Sequence, residues 1–450
     1  MFAGPGKDTI PAGRIAEPGS GRLTTRIREV GGTHHVPGDK SITHRALLLT
    51  ALAPGRSTIH GALHADDPRS TARVVRQLGA EVSSLTAGRP VVVVAGHARF
   101  SRPAASLNCG NSGTTARLLL GLLAAQRFEA TLTGDRSLRR RPMRRVTEPL
   151  VAMGARISAS RGDGLPVTIR GGRLHDLDWR MPVPSAQIKS ALLLAAAAGR
   201  VSVTIRQPAE SRDHTERMLR HFGFEIATEG DTLRLLPTGR FEPREIDVPG
   251  DISSATFLIG AAALASRGQI AVTGVGVNPT RTGFLGVLAR MNVPVRVVGV
   301  VESSGEPRGT LIAGASELRA VTVAAAEVPS LIDEIPMLAC LAARAAGTSR
   351  FAGLAELQVK ESDRLRLLAD NLRRIGVEAA VEDEDLIIEG TDRPLSGRVV
   401  TQGDHRIAMA FTVLGTSRAA RIRVDDPRCA AVSFPGFAET LGALYRKRRR

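Results

Sequence analysis

The stretch Val36-Pro37-Gly38-Asp39-Lys40-Ser41-Ile42-Thr43-His44-Arg45 is answered later in the chain by Pro249-Gly250-Asp251-Ile252-Ser253. In both, Pro-Gly reads as a tight turn, and polar residues then open a helix rich in small and apolar residues. In the first copy Asp39 or Ser41 can cap a helix whose body is Ala46-Leu47-Leu48-Leu49. The free N–H groups and positive dipole end of such a start suit an anion. Lys40 adds a point charge, and Arg45 lies one turn past Ser41 on the same side. Alone, the stretch reads equally well as an ordinary capped surface helix. Repetition decides between the two. Polar-opened helices of this type begin at Asp39, Asn111, Ser185, Ser253, Asp333 and Asp404. Out of phase with them, longer amphipathic helices end in an apolar residue followed by Gly or Asn, the left-handed C-cap signal. These ends are Leu78-Gly79, Met153-Gly154, Phe222-Gly223, Met291-Asn292, Ile375-Gly376 and Leu441-Gly442. Alternating segments at 90–95, 165–169, 232–236 and 385–388 read as strands.

The expectation is an α/β fold that is not doubly wound, built from six βαβαββ units of roughly 70 residues each. The two Pro-Gly-Asp copies divide it into two lobes of three units joined by two chain crossings. Residues 39–250 carry units 1–3, and residues 26–38 with 251–445 carry units 4–6. Residues 1–25, rich in Gly, Pro and Thr, read as a flexible extension, and 446–450 as a basic tail. A chain of 450 residues is too long for one ordinary core. A cleft between lobes is the default place for a site.

Charge narrows the partners. The formal net charge is +17, and Arg446-Lys447-Arg448-Arg449-Arg450 supplies five of those charges. Arg136, Arg139, Arg140, Arg141, Arg144 and Arg145 form a second cluster. Such a balance implies anionic partners. Proteins that stack nucleic-acid bases want aromatics among their basic residues. Here Trp179 and Tyr445 are the one Trp and the one Tyr, and no aromatic interrupts the cluster. Small anionic substrates therefore fit better than nucleic acid. No apolar run is long enough to span a bilayer, so no membrane partner is expected. Cys109, Cys340 and Cys429 are scattered and odd in number, which fits a reducing cytoplasm. With no CxxC, no HExxH and no ligand-spaced histidines, no metal and no cofactor are expected.

Six motifs in order now give the chain a likeness. They are Pro37-Gly38-Asp39-Lys40-Ser41 with Arg45; Gly110-Asn111-Ser112-Gly113-Thr114-Thr115-Ala116-Arg117; Gly134-Asp135 followed by Arg141-Pro142-Met143; Pro184-Ser185-Ala186-Gln187-Ile188-Lys189-Ser190; Val359-Lys360-Glu361-Ser362-Asp363-Arg364; and Asp404-His405-Arg406. In these the sequence resembles the family of 5-enolpyruvylshikimate-3-phosphate synthases over nearly its whole length after about residue 25. The resemblance implies two inverse α/β barrel-like lobes. It also implies transfer of the enolpyruvyl group of phosphoenolpyruvate to the 5-hydroxyl of 3-phosphoshikimate, with release of phosphate, by a cytoplasmic monomer. By the same likeness Lys40, Gly113, Arg141, Gln187, Arg364 and Arg406 hold phosphoenolpyruvate. Lys40, Ser41, Arg45, Ser185, the Ala186 backbone, Gln187, Asp333 and Lys360 hold 3-phosphoshikimate. Arg212 either joins that phosphate pocket or pairs with its neighbour Asp213. Asp333 is the expected base. Glu361 is the expected acid, with Lys40 as competitor for that role.

Two departures stand out. Val432 precedes Ser433-Phe434-Pro435 where some members carry a lysine, and Ala186 replaces a second serine. Gly113 implies sensitivity to glyphosate, which resembles phosphoenolpyruvate. The nearest rival, UDP-N-acetylglucosamine enolpyruvyl transferase, typically has Asn after the lysine and a reactive loop cysteine. Here Ser41 follows Lys40, and Cys109 reads as a small buried residue.

Overall fold

The computed structural model describes residues 28–159 and 162–445. The 1–25 extension and the 446–450 tail lie outside the described residues. Six helices form the inner layer: Lys40–Thr50, Gly113–Ala124, Ala186–Gly199, Ile252–Ala263, Ile335–Ala342 and His405–Leu414. They are apolar nearly all round, which is the pattern of a buried helix, and every residue of Ile252–Ala263 is buried. Gly121 lets two of them approach closely: a Cβ there would stand 2.2 Å from the Ala191 carbonyl oxygen.

Amphipathic helices cover the outside at Asp66–Gln77, Arg144–Ala152, His214–His221, Gly283–Arg290 and Arg364–Arg374. Each is followed by a left-handed residue, such as Gly79 at φ 98° or Asn292 at φ 66°. Leu441-Gly442 departs from the expectation. Gly442 lies inside the Phe437–Ala443 helix, and the chain then forms an isolated bridge from Tyr445 to Val30 instead of reversing into a strand.

Among the described residues four four-stranded sheets and one five-stranded sheet share one order: parallel pairing first, then two antiparallel strands. In the first, Gly55–His60 has Glu245–Asp247 parallel on one side and Val91–Ala95 antiparallel on the other. The opening strand of unit 1 thus arrives from the end of unit 3. Conversely, Glu29–Val30 and Thr33–His34 pair in parallel with Arg267–Gly276 of unit 4. The two crossings touch each other. Asp39 N–H donates to Pro249 O and Asp251 N–H to Pro37 O, both at 2.8 Å, around a Gly38–Gly250 bridge. The sixth unit is shorter than expected. Among the described residues it has only the parallel pair Leu395–Val399 and Ala420–Val424. Beyond it Pro427 opens a 3-10 turn, and Phe434, Phe437 and Leu441 are buried at helical spacing rather than alternating as a strand.

Two apolar clusters are buried. One runs from Ile42 to Val248; the other joins Val30 to residues from Ile252 to Leu444. The inner helix starts differ in detail from the expected ones. The capping side chains are Asp39, Ser112, Ser185, Asp251 and Asp404, so Asn111 precedes its cap and Ser253 follows it. The fifth helix has no side-chain cap and carries Pro in its first turn. Proline brings no N–H there, and Asp333, just ahead of the helix, is left free for other partners.

Candidate active site

A cleft opens between the two cores, at the N-terminal ends of the inner helices. The first core contributes Lys40, Ser41 and Arg45 from one helix start, Gly113 from the next, and Ser185, Ala186 and Gln187 from the third. Connecting segments add Arg141 and Arg212. The second core contributes Asp333, Lys360, Glu361 and Arg406. Each helix end adds only about 0.3–1 kcal/mol toward an anion, so the guanidinium and ammonium groups dominate.

Among the sequence candidates Arg364 alone stands off the cleft wall. It is 0% exposed. Its Nε donates to Asp404 at 2.9 Å and its Nη2 to Glu361 at 2.7 Å. Asp404 and Glu361 outweigh burial and hold the guanidinium charged. Arg364 thus fixes the Glu361 carboxylate beside the cleft, while its Nη1 has no hydrogen-bond partner and lies 3.8 Å from Asp333. Arg212 also differs from one expectation. It pairs across the cleft with Asp333, whereas Asp213 pairs with Arg217 and accepts from Asn278.

Asp333 is the electrostatic centre. Arg406 Nη1 donates to its carbonyl at 3.0 Å, and Lys360 Nζ lies 4.0 Å from its carboxylate. Burial alone would raise this carboxyl, but Arg212, Arg406, Lys360 and Arg281 together hold it well below the usual carboxylate range. Glu361 follows the same logic. Burial opposes its charge, and Arg364, His405, Arg141 and Lys40 overcome that opposition. Burial lowers Lys360 from the ordinary lysine value, with Asp333 opposing the shift. Arg45 is pushed down to about 10 by burial among Ser190, Thr215 and the Ser41 carbonyl, to all of which it donates. Lys40 Nζ lies 3.2 Å from Asp67. Burial pushes the Cys109 thiol up to about 12, which leaves no thiolate for chemistry.

Several cleft residues went unassigned from sequence. Arg117 donates to Gln187 Oε1 at 2.7 Å and to the Pro142 carbonyl at 3.1 Å. Its place in the Asn111–Arg117 motif was the available signal. Asp67 gave none, because an acid in a helix's first turn is ordinary. Arg145 and Glu356 pair across the rim at 2.5 Å. Arg281, on the cleft wall, donates to Ser253 at 2.7 Å and to Glu334 at 3.0 Å, contacts between segments far apart in the chain. Among the described residues no group of His, Cys, Asp or Glu is placed to hold a metal, and no helix is long and apolar enough to cross a membrane.

Two three-unit halves around a cation-lined cleft are the architecture of the enolpyruvyl transferases. The enolpyruvyl transferase NikO from Streptomyces tendae matches with a TM-score of 0.74 over 93% of this chain and 97% of its own, at 19% identity, a likeness of fold. The chain itself belongs to the EPSP synthase (3-phosphoshikimate 1-carboxyvinyltransferase) family, whose model matches residues 24–441. The EPSP synthase of Acinetobacter baumannii matches with a TM-score of 0.83 at 36% identity, covering 94% of this chain and 97% of that one. The 3-phosphoshikimate 1-carboxyvinyltransferase of Thermus thermophilus is 47% identical over 414 residues, 91% of this chain and 95% of that protein. That of Alkalilimnicola ehrlichii is 45% identical over 412 residues, 91% and 92% respectively.

Proposed function

We infer that this chain transfers the enolpyruvyl group of phosphoenolpyruvate to the 5-hydroxyl of 3-phosphoshikimate. The observation that carries the reading is Asp333, an ionised carboxylate ringed by cations in a cleft suited to two polyanions. We propose that Asp333 takes the hydroxyl proton while Glu361 delivers a proton to the methylene carbon, C3. The hydroxyl oxygen bonds to C2, giving a tetrahedral adduct. Loss of a C3 proton then expels phosphate and restores the double bond. Atoms and charges balance between substrates and side chains, so no cofactor is proposed. Glu361 starts ionised, which makes it a poor acid in the empty site. Incoming phosphate and carboxylate groups occupy the surrounding cations and raise its proton affinity. Lys40, the competing donor, is proposed to hold the phosphate of phosphoenolpyruvate. Arg117 and Arg141 face its remaining charge beside Gly113. Arg45, Ser185, Gln187, Arg212 and Lys360 are proposed to hold 3-phosphoshikimate. Arg364 and Arg406 support the wall between the two. A monomer is proposed, and the three free cysteines support a cytoplasmic setting. We further propose that the 39–250 lobe and the lobe of 26–38 with 251–445 close on the filled site.

Phosphate release assayed with phosphoenolpyruvate and 3-phosphoshikimate, against UDP-N-acetylglucosamine as acceptor, tests this reading. Turnover with the first acceptor alone is expected. Glu361→Gln should bind both substrates and lose turnover. Preference for the nucleotide sugar would sink the assignment, and retained turnover in Glu361→Gln would move the acid to Lys40.

Gly113 bears on selectivity. A Cβ there would lie 3.0 Å from Arg117 Nη1 and 3.3 Å from Arg141 Nη1. Both guanidiniums are held by other bonds, Arg141 by Asn111 at 2.6 Å. Gly113→Ala should therefore raise KM for phosphoenolpyruvate and the inhibition constant of glyphosate, each by about tenfold or more. Wild-type tolerance of millimolar glyphosate would contradict the pocket assignment.

A further inference from the structure

The arginine cluster at residues 136–145 is only partly used by the site. Arg141 turns inward, and Arg145 is tied to Glu356. Arg136, Arg139, Arg140 and Arg144 are exposed and make no ion pair among the described residues. Their backbone is nonetheless fixed. Asp135 accepts from Leu138 N–H at 2.7 Å and from Asn111 at 2.5 Å, Leu138 is fully buried, and Asp163 accepts from Met143 and Arg144 N–H. Asp135 and Asp163 are thus spent on backbone N–H groups and on Asn111, not on the guanidiniums. Arg144 and Arg145 also occupy the first turn of the Arg144–Ala152 helix, which has no acid there. Cations at that end oppose the dipole, so their placement does not serve stability. The segment lies at the cleft rim, where Ser137 donates to the Glu361 carbonyl at 3.5 Å across the gap.

We propose that Arg136, Arg139, Arg140 and Arg144 form an electrostatic guide that draws small phosphate- and carboxylate-bearing anions to the cleft mouth. They raise the association rate without touching the bound substrates. The proposal rests on the reading of the cleft as a site for two polyanions. Such a field acts over a Debye length, about 8 Å at physiological salt, and weakens as salt rises. The side chains are exposed on the same segment that brings Arg141 and Arg145 to the cleft lining. No aromatic interleaves them, which favours small anions over a polynucleotide.

The test compares wild type with a variant carrying R136Q, R139Q, R140Q and R144Q. Association of 3-phosphoshikimate is followed by stopped flow between about 20 and about 300 mM salt. The variant should associate about tenfold more slowly at low salt, with a flatter salt dependence and unchanged dissociation rate and kcat. Near-ultraviolet circular dichroism checks that the fold is kept. An unchanged association rate overturns the proposal. A loss carried by faster dissociation also overturns it, because it would mark direct binding contacts. Tight polynucleotide binding lost in the variant, with substrate association intact, would give the strip to nucleic acid instead. Failure of the functional reading is distinguishable, since wild type would then show no turnover at all.

Discussion

Asp333→Asn is expected to lower kcat by about 10²–10⁴-fold while leaving both substrates able to bind. The amide keeps the size and planar shape of the carboxylate but cannot accept the hydroxyl proton. Binding should hold or tighten, since a negative charge is removed from a site built for anions. Arg212 would lose a charged partner and be freer to meet phosphate. Isothermal titration for affinity and steady-state turnover for kcat separate the two effects. A variant within tenfold of wild-type kcat would remove Asp333 from the base's role.

The same cations make a pH prediction. A base works when unprotonated, and Asp333 is held well below the usual carboxylate range in the empty site. The acid limb of kcat/KM, which reports the free enzyme, should therefore lie below the ordinary carboxylate range. In the filled site the substrates' charges neutralise Arg212, Lys360 and Arg406, so the acid limb of kcat should lie at higher pH. For stability the sign follows from the depressed value. The contribution of Asp333 is present above its unfolded pKa and is lost as pH falls through the folded one.

The chain's organisation was legible because its units repeat. Pro-Gly-Asp at 37–39 and 249–251 marked both crossings, and the structure pairs those crossings with each other. Gly79, Gly154, Gly223 and Gly376 marked helix ends because the left-handed conformation there favours glycine. Gly442 misled, since glycine inside a short last helix carries the same local signature. The short sixth sheet was hidden because periodicity predicts a unit's continuation but not its omission. Cleft-lining residues were legible where a motif held them, as Lys40, Gln187 and Arg406 show. Partnerships were not. Arg212 with Asp333, Arg145 with Glu356 and Arg281 with Glu334 join segments far apart in sequence, and spacing carries no information about such pairs. The removal of Arg364 from the cleft wall has the same cause, because its partner Asp404 comes from another unit.

A pair that the motif reading passed over should have the largest effect on stability. Lys189 lies one turn beyond Ser185, with 1% of its side chain exposed. It meets Glu216 Oε1 at 2.6 Å and donates to the Ser211 carbonyl at 2.9 Å. Glu216 Oε2 has no partner, and burial raises the Glu216 carboxyl despite Lys189. Lys189→Met should therefore cost about 3–5 kcal/mol, because it strands a buried carboxylate. The deficit should shrink as pH falls. A carboxyl raised above its unfolded pKa favours the folded state below that unfolded value, and the benefit is lost as pH rises through the folded one. Adding Glu216→Leu should restore most of the stability, since a buried pair replaced by apolar groups of similar volume is often neutral. Activity should not recover with it. The Ser211 carbonyl still lacks its donor, and Ser211 directly precedes Arg212, which reaches Asp333 across the cleft. A loosened Arg212 should leave kcat/KM about tenfold or more below wild type in the stable double variant. Thermal unfolding and steady-state kinetics on the three proteins test both halves. Full activity in the double variant would reduce Lys189 to a packing role. A loss in Lys189→Met of less than about 1 kcal/mol would show that Glu216 is not stranded.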